Sequence, residues 1–233
     1  DNGYFETARR VLLNNAFPGW LYEVDMGATT VWERWNSLMP DGTPNPDGMN
    51  SYNHYAYGSV MEFVYRRIAG IEEKEAGFKK IVIAPHPAKG LPALRAEYES
   101  VSGKIVSGYA ENGGKIVYEI EIPSVIEAEI RLPDEESVFV TGGRHTFERD
   151  SESLSEAPYT PESPIVEVIE NPKAARAFFE AFGNLFFGGA IERMKSEHKT
   201  LGDLAESCEE KGVMNVSDFS KKLEQANDLF LQK

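Results

Sequence analysis

The sequence predicts a multi-domain chain of mixed α and β class, with helical ends around a central antiparallel β-sandwich. Three observations predict it. Helix-spaced apolar residues, all three tryptophans and six of the ten tyrosines crowd residues 1–72, a period of two runs through much of residues 73–150, and capped apolar stripes recur after residue 171.

Residues 1–72 read as helix and loop. A helix is expected over Thr7–Asn14, and Phe17-Pro18-Gly19-Trp20 interrupts it. The run MPDGTPNPDG, residues 39–48, is a loop because its glycines and prolines suit turns and not regular elements. After Asn50 or Ser51 as a cap, Ala56, Val60, Phe63, Val64 and Ile68 repeat at helical spacing up to Gly70. Two helices are too little to close a core, so the segment is expected to be the end of a larger helical domain. The chain opens without a methionine and reads as a piece cut within that domain.

The sandwich is expected over 73–150. In KIVYEIEIP, Ile116, Tyr118, Ile120 and Ile122 share one face, while Lys115, Glu119 and Glu121 share the other. Ile126, Ala128, Ile130 and Leu132 repeat the device, and Pro123-Ser124 reads as the turn between two strands. Leu94, Ala96 and Tyr98 alternate with Arg95, Glu97 and Glu99, and Glu111-Asn112-Gly113-Gly114 is a hairpin signal. A polar stretch rich in Ser, Glu and Pro suggests a linker over 151–170. In the tail, 171–233, Asn171-Pro172 can cap a helix bearing Ala175, Phe178, Phe179 and Phe182 up to Gly183. Thr200 can cap a second helix with Leu201, Leu204, Ala205 and Cys208, and Ser217 a third with Phe219, Leu223, Ala226 and Phe230.

Composition removes several functions. A net charge of −14, from 38 acidic and 24 basic side chains, argues against a nucleic-acid partner, whose phosphates require clustered Lys and Arg. No apolar run approaches the roughly 20 residues that span a bilayer, so no membrane partner is expected. The single Cys208 excludes an intramolecular disulfide and a thiolate zinc site. No cofactor is expected. Localisation, cytoplasmic or secreted, is left open by the sequence.

The densest chemistry lies in two motifs, GATTVWERWNS (27–37) and MNSYNHYAYGSV (49–60). A carboxylate between Trp32 and Trp35 can be shielded from bulk water, which favours its uncharged form and suits a general base; Arg34 folding back would oppose that. Aromatic faces beside Glu33 suit a sugar, whose hydroxyls could meet Asn50, His54 and neighbouring tyrosines. The plain alternative pairs Glu33 with an arginine, sets the tryptophans in a core and makes His54 structural. Elsewhere, Asp41 and Asp47 read as turn residues and not calcium ligands, and Gly142-Gly143-Arg144-His145 as a turn. Cys208 reads as a buried thiol, and Phe186-Phe187 as core or docking surface. His86 and His198 have no partners at ligand spacing.

These two motifs resemble those near the carboxyl end of the catalytic domain of bacterial α-L-rhamnosidases. FPGWLYEVDMGATT (17–30) is similar to the run that leads into the first motif, and GFKKIVIAPHP (77–87) to the opening of the family's carboxyl-terminal sandwich. The likeness covers roughly residues 1–135. It implies the end of an α/α six-hairpin toroid followed by a β-sandwich. It further implies hydrolysis of terminal α-L-rhamnosides with inversion, Glu33 as general base, and His54 in contact with a rhamnose-containing glycoside. Trp32, Trp35 and Asn50 sit in the motifs too and are carried over to the substrate-binding site in pocket-forming or scaffold roles. The family's general acid lies upstream of the first motif, and Glu6, Glu23 and Asp25 stand in no matching context. The expected partner is therefore the upstream part of the same catalytic domain, and the chain alone is expected to have negligible activity. A non-catalytic carbohydrate-binding or interaction module of the same family is the alternative. The helical tail is a candidate oligomerisation element.

Overall fold

The structure, a computed structural model, describes residues 3–151, 153–186, 191, 194 and 197–231. The chain forms two compact units, each drawn from separated segments. One comprises Asp1–Phe5, Thr29–Ser37 and Asp47–Glu156, the other Glu6–Ala28, Leu38–Pro46 and Ala157–Lys233.

The first unit is built on a sheet of six strands among the described residues: β1 (Ile71–Glu75), β2 (Lys80–Ile83), β3 (Ala93–Ser100), β4 (Gly103–Asn112), β5 (Lys115–Ile130) and β6 (Val138–Asp150). The order is β1-β2-β5-β4-β3, with β6 along the other edge of β5. Alternation explains its core, because Tyr118, Ile120, Ile122, Ile126 and Ile130 of β5 all point inward and are no more than 3% exposed. The Gly113-Gly114 hairpin forms as the sequence indicates, both glycines having positive φ.

Three features differ from the sequence reading. The hydrogen-bonded pairing is not all antiparallel, because β2 runs parallel to Glu127–Ile130 of β5. A 16-residue strand outruns β4, and β2 pairs with the length left over. Pro123-Ser124 is not a turn but an irregularity inside β5, where the register with β6 shifts between Ile122 and Glu127. A proline cannot donate to the ladder, and a bulge accommodates it without ending the strand. Gly142-Gly143-Arg144-His145 likewise lies within β6, opposite that irregularity.

A helical segment enters this sheet. Ala56–Ser59 is a 3₁₀ turn, helix α3 spans Val60–Phe63, and a π turn covers Val64–Ile68. Here α1 (Phe5–Leu12) and α2 (Trp20–Asp25) precede α3 in the chain, and Phe5 meets Phe63 with ring centroids 5.5 Å apart. The segment ends at Gly70, with φ 72° and an added Cβ only 2.0 Å from the Ala84 carbonyl carbon, so only glycine fits. Ser107 Oγ donates to the Ala69 carbonyl at 2.6 Å and ties the helix end to β4. Helix begins at Ala56 and not beside Asn50 or Ser51, for a reason that the site supplies.

The second unit packs α4 (Ile165–Glu170), α5 (Pro172–Phe182), α6 (Leu201–Glu210) and α7 (Val216–Leu231) around Phe178, Phe182, Phe219 and Phe230, all at most 6% exposed. Asn171 accepts from the N–H groups of Lys173 and Ala174 with Pro172 at the first position of α5, and Gly183 at φ 60° follows its last turn. Thr200 and Asp203 form a reciprocal capping box. Asn215, not Ser217, caps α7, its Oδ1 accepting from Asp218 N–H at 2.8 Å. Residues 151–170 are more than a linker. Ile165 and Val168 of α4 are fully buried, and Tyr159 exchanges two 2.8 Å hydrogen bonds with Asn227. Arg10 of α1 donates to Glu170 Oε2 at 3.1 Å within the same unit. Cys208 is 4% exposed, and burial pushes its thiol up. Of the Phe186-Phe187 pair, Phe187 lies outside the described residues.

Candidate active site

Both motifs lie in the first unit, and their backbones meet. Glu33 N–H donates to the Ser51 carbonyl at 2.8 Å, and His54 N–H donates to the Val31 carbonyl at 2.8 Å. These bonds use backbone groups of residues 51–54 that a helix starting at Asn50 or Ser51 would need, and the helical turns begin only at Ala56. The Thr30 hydroxyl adds a bond to the Tyr52 carbonyl.

The Glu33 carboxylate is half-buried, and its Oε2 accepts from Ser51 N–H at 2.9 Å. Among the described residues no ion pair joins it to an arginine, so the charge-pair alternative from the sequence is not what holds it. A backbone N–H aimed at a carboxylate oxygen fixes the group's direction. Four residues after Glu33 and one before Ser51, the segments meet again, where Asn50 Nδ2 donates to the Ser37 carbonyl at 2.9 Å. Ser37 Oγ lies 2.7 Å from Asn50 Oδ1 and 2.8 Å from the Arg34 carbonyl, its one proton serving either acceptor. Ser37 is completely buried.

His54 accepts at Nδ1 from Ala56 N–H at 3.2 Å, and its ring stacks on Tyr55 at 5.5 Å with planes 4° apart. With Nδ1 accepting, the neutral ring carries its proton on Nε2 and presents a donor there. Trp32 is 4% exposed and meets Tyr52 edge-on at 5.7 Å, while the half-buried Trp35 stacks on Tyr57 at 5.4 Å. The structure therefore brings Glu33, His54, Asn50, Trp32 and Trp35 onto two cross-linked segments. Sequence reasoning missed Ser37 and gave Ser51 no part in holding Glu33. The available signal was a small hydroxyl residue closing the first motif.

The other candidates separate from this cluster. Asp41 accepts from the Thr43 hydroxyl and its N–H, which holds its carboxyl below the usual range and closes a turn. His86 packs on Phe5 with ring centroids 4.1 Å apart, and His198 has φ 55°. Glu6 pairs with Arg9 at 2.9 Å, and Asp25 accepts from Asn15. Among the described residues no helix is long and apolar enough to cross a membrane.

A glutamate-centred, aromatic-rich pair of motifs leading into a sheet domain defines a glycosidase-type architecture. Comparison makes this specific. Residues 1–68 match the model of the bacterial alpha-L-rhamnosidase 6 hairpin glycosidase domain, and residues 70–147 that of the bacterial alpha-L-rhamnosidase C-terminal domain. Through these residues the chain belongs to the bacterial α-L-rhamnosidase family. It is 39% identical over 149 residues to an alpha-L-rhamnosidase of Streptomyces avermitilis, covering 64% of this chain and 14% of that protein. It is 38% identical over 137 residues to one of Formosa agariphila, covering 59% and 15%. The crystal structure of the Streptomyces avermitilis α-L-rhamnosidase complexed with L-rhamnose superposes with a TM-score of 0.59 at 34% identity, over 64% of this chain and 16% of that one. The chain thus spans about one seventh of the length of these relatives.

Proposed function

We propose that this chain is the carboxyl-terminal portion of an α-L-rhamnosidase that hydrolyses terminal α-L-rhamnosides with inversion. In this reading residues 1–72 are the end of an α/α six-hairpin toroid, residues 73–150 are the β-sandwich that buttresses it, and 171–233 are a helical tail. Glu33 is the general base. The observation that carries the reading is the Glu33 carboxylate, whose Oε2 is held by Ser51 N–H, with nothing else hydrogen-bonded to the carboxylate among the described residues. A carboxylate fixed through one oxygen can use the other to polarise a water. Inversion places that water between the base and the anomeric carbon, with the two catalytic carboxyl groups about 6.5–9.5 Å apart. The acid that protonates the leaving oxygen is assigned to the upstream part of the same domain. In this reading His54 Nε2–H donates to a sugar hydroxyl. Trp32, buried as it is, serves as scaffold, and the wall facing the sugar falls to Trp35 and the exposed tyrosines around His54.

Glu33→Gln in the whole protein tests this. It should lower turnover of an aryl α-L-rhamnoside by about 10²–10⁴-fold, the usual contribution of a positioned base, while L-rhamnose binding by calorimetry persists. Turnover that survives the substitution removes Glu33 from the mechanism, and a wild-type protein that binds rhamnose without turnover supports the binding-module alternative.

A further inference from the structure

We propose that Ser37 and Asn50 form a positioning clamp for the Glu33 carboxylate, and that Asn50 acts through this clamp and not by touching the sugar. The proposal rests on the assignment of Glu33 as base.

The geometry is a double cross-link. Glu33 and Ser37 bracket one tight turn, closed by Ser37 N–H donating to the Arg34 carbonyl at 3.0 Å. Asn50 and Ser51 are consecutive on the facing segment. Ser51 holds Glu33 through two hydrogen bonds, one to the backbone and one to the carboxylate, at 2.8 and 2.9 Å. Asn50 and Ser37 make a second pair of contacts, at 2.9 and 2.7 Å. Tyr52 OH adds a donor to the same Ser37 carbonyl at 3.3 Å, and its ring rests against Trp32.

Both polar ends of the Asn50 amide are engaged by Ser37. The amide can sit only one way round, because the Ser37 carbonyl cannot donate and must face the NH₂ group. The Ser37 hydroxyl is fully buried, so its removal would leave Asn50 Oδ1 without its 2.7 Å partner. The loop of residues 38–49 separates the two clamp residues in sequence, and its own turns pair Leu38 with Pro44 and Met39 with Thr43. The clamp joins its two ends, and Ser51 inherits the constraint through its peptide bond to Asn50. Position matters here because a displacement of about 1 Å at a reacting group can cost roughly 10²-fold in rate.

The test compares Ser37→Ala with Ser37→Thr, which keeps the hydroxyl. In the whole protein, Ser37→Ala should lower kcat on an aryl α-L-rhamnoside about 10–100-fold with KM within about twofold, and Ser37→Thr should restore most of it. In the chain itself, the Ser51 amide should show a moved proton shift and faster hydrogen exchange in Ser37→Ala, restored in Ser37→Thr. Should Ser37→Ala fail to fold, Asn50→Asp, which cannot donate to the Ser37 carbonyl, is read in the same way. A Ser51 amide unchanged by these substitutions overturns the clamp, as does a loss of rate that only tracks the unfolded fraction. If instead Glu33→Gln keeps its turnover, the assignment of the base fails while the Ser51 amide still judges the clamp.

Discussion

Strand β5 and the segment carrying the two motifs belong to the same compact unit but are held in place by different means. In β5 the work is shared. Tyr118, Ile120, Ile122, Ile126 and Ile130 each remove an apolar side chain from water, and the ladders to β4 and β6 supply many equivalent hydrogen bonds. In the motif segment the positions of Glu33 and His54 depend on a few particular bonds, those of Ser51, Val31, Ser37 and Asn50. A change in β5 should therefore reduce stability in proportion to the volume removed and leave the folded site as it was. A change in the motif network should alter the site by more than its cost to stability accounts for.

The largest expected effect on stability tests the first half of that contrast. Ile120, 2% exposed, faces the sheet core, and Ile120→Ala should lower the unfolding free energy by about 2–5 kcal/mol in urea titration. The Ser51 amide of the folded variant should keep its wild-type shift. If Ile120→Ala moves that amide as far as Ser37→Ala does, the two regions are not held independently and the contrast breaks. A smaller effect is expected where β6 passes the irregularity in β5. A Cβ at Gly142 would lie 2.2 Å from Ser124 Cα, and Gly142→Ala should cost about 1–3 kcal/mol as backbone moves aside. An unchanged melting temperature would show that the strands separate there freely.

The same contrast explains what could be read from the sequence. Alternation in β5 and the local caps at Asn171 and Thr200 were legible because each depends on residues close in sequence. Glu33 and His54 were legible through the motifs around them. Pro123 and Gly142 misled because both are ordinary turn residues, and their joint use inside one strand pair depends on register, which no local pattern shows. Strand β1, with its run Glu72-Glu73-Lys74-Glu75, was missed because an exposed edge strand needs no apolar alternation. Ser37 was missed for a related reason. A buried serine between polar neighbours has no signature until its partner thirteen residues away is brought to it.

The contrast has an exception inside the sheet, and it yields the smallest effect. Glu129 of β5 accepts from Arg131 at 2.8 and 3.0 Å and from Lys74 at 2.6 Å. The Arg131 hydrogen bonds first, then that of Lys74, hold its carboxyl down at about 2. Because the folded value lies below the ordinary glutamate value of about 4.3, the contacts stabilise the fold fully above that pH. Their contribution fades as pH falls towards 2. The stability gap between wild type and Glu129→Gln should therefore be constant at neutral pH, close between about pH 4.3 and 2, and shrink in high salt because the partners reach solvent. A gap that stays constant down to pH 2 would show that the loss comes from packing and not from charge. Glu129 would then join the shared stabilisation of β5, and particular polar bonds would be confined to the motif segment.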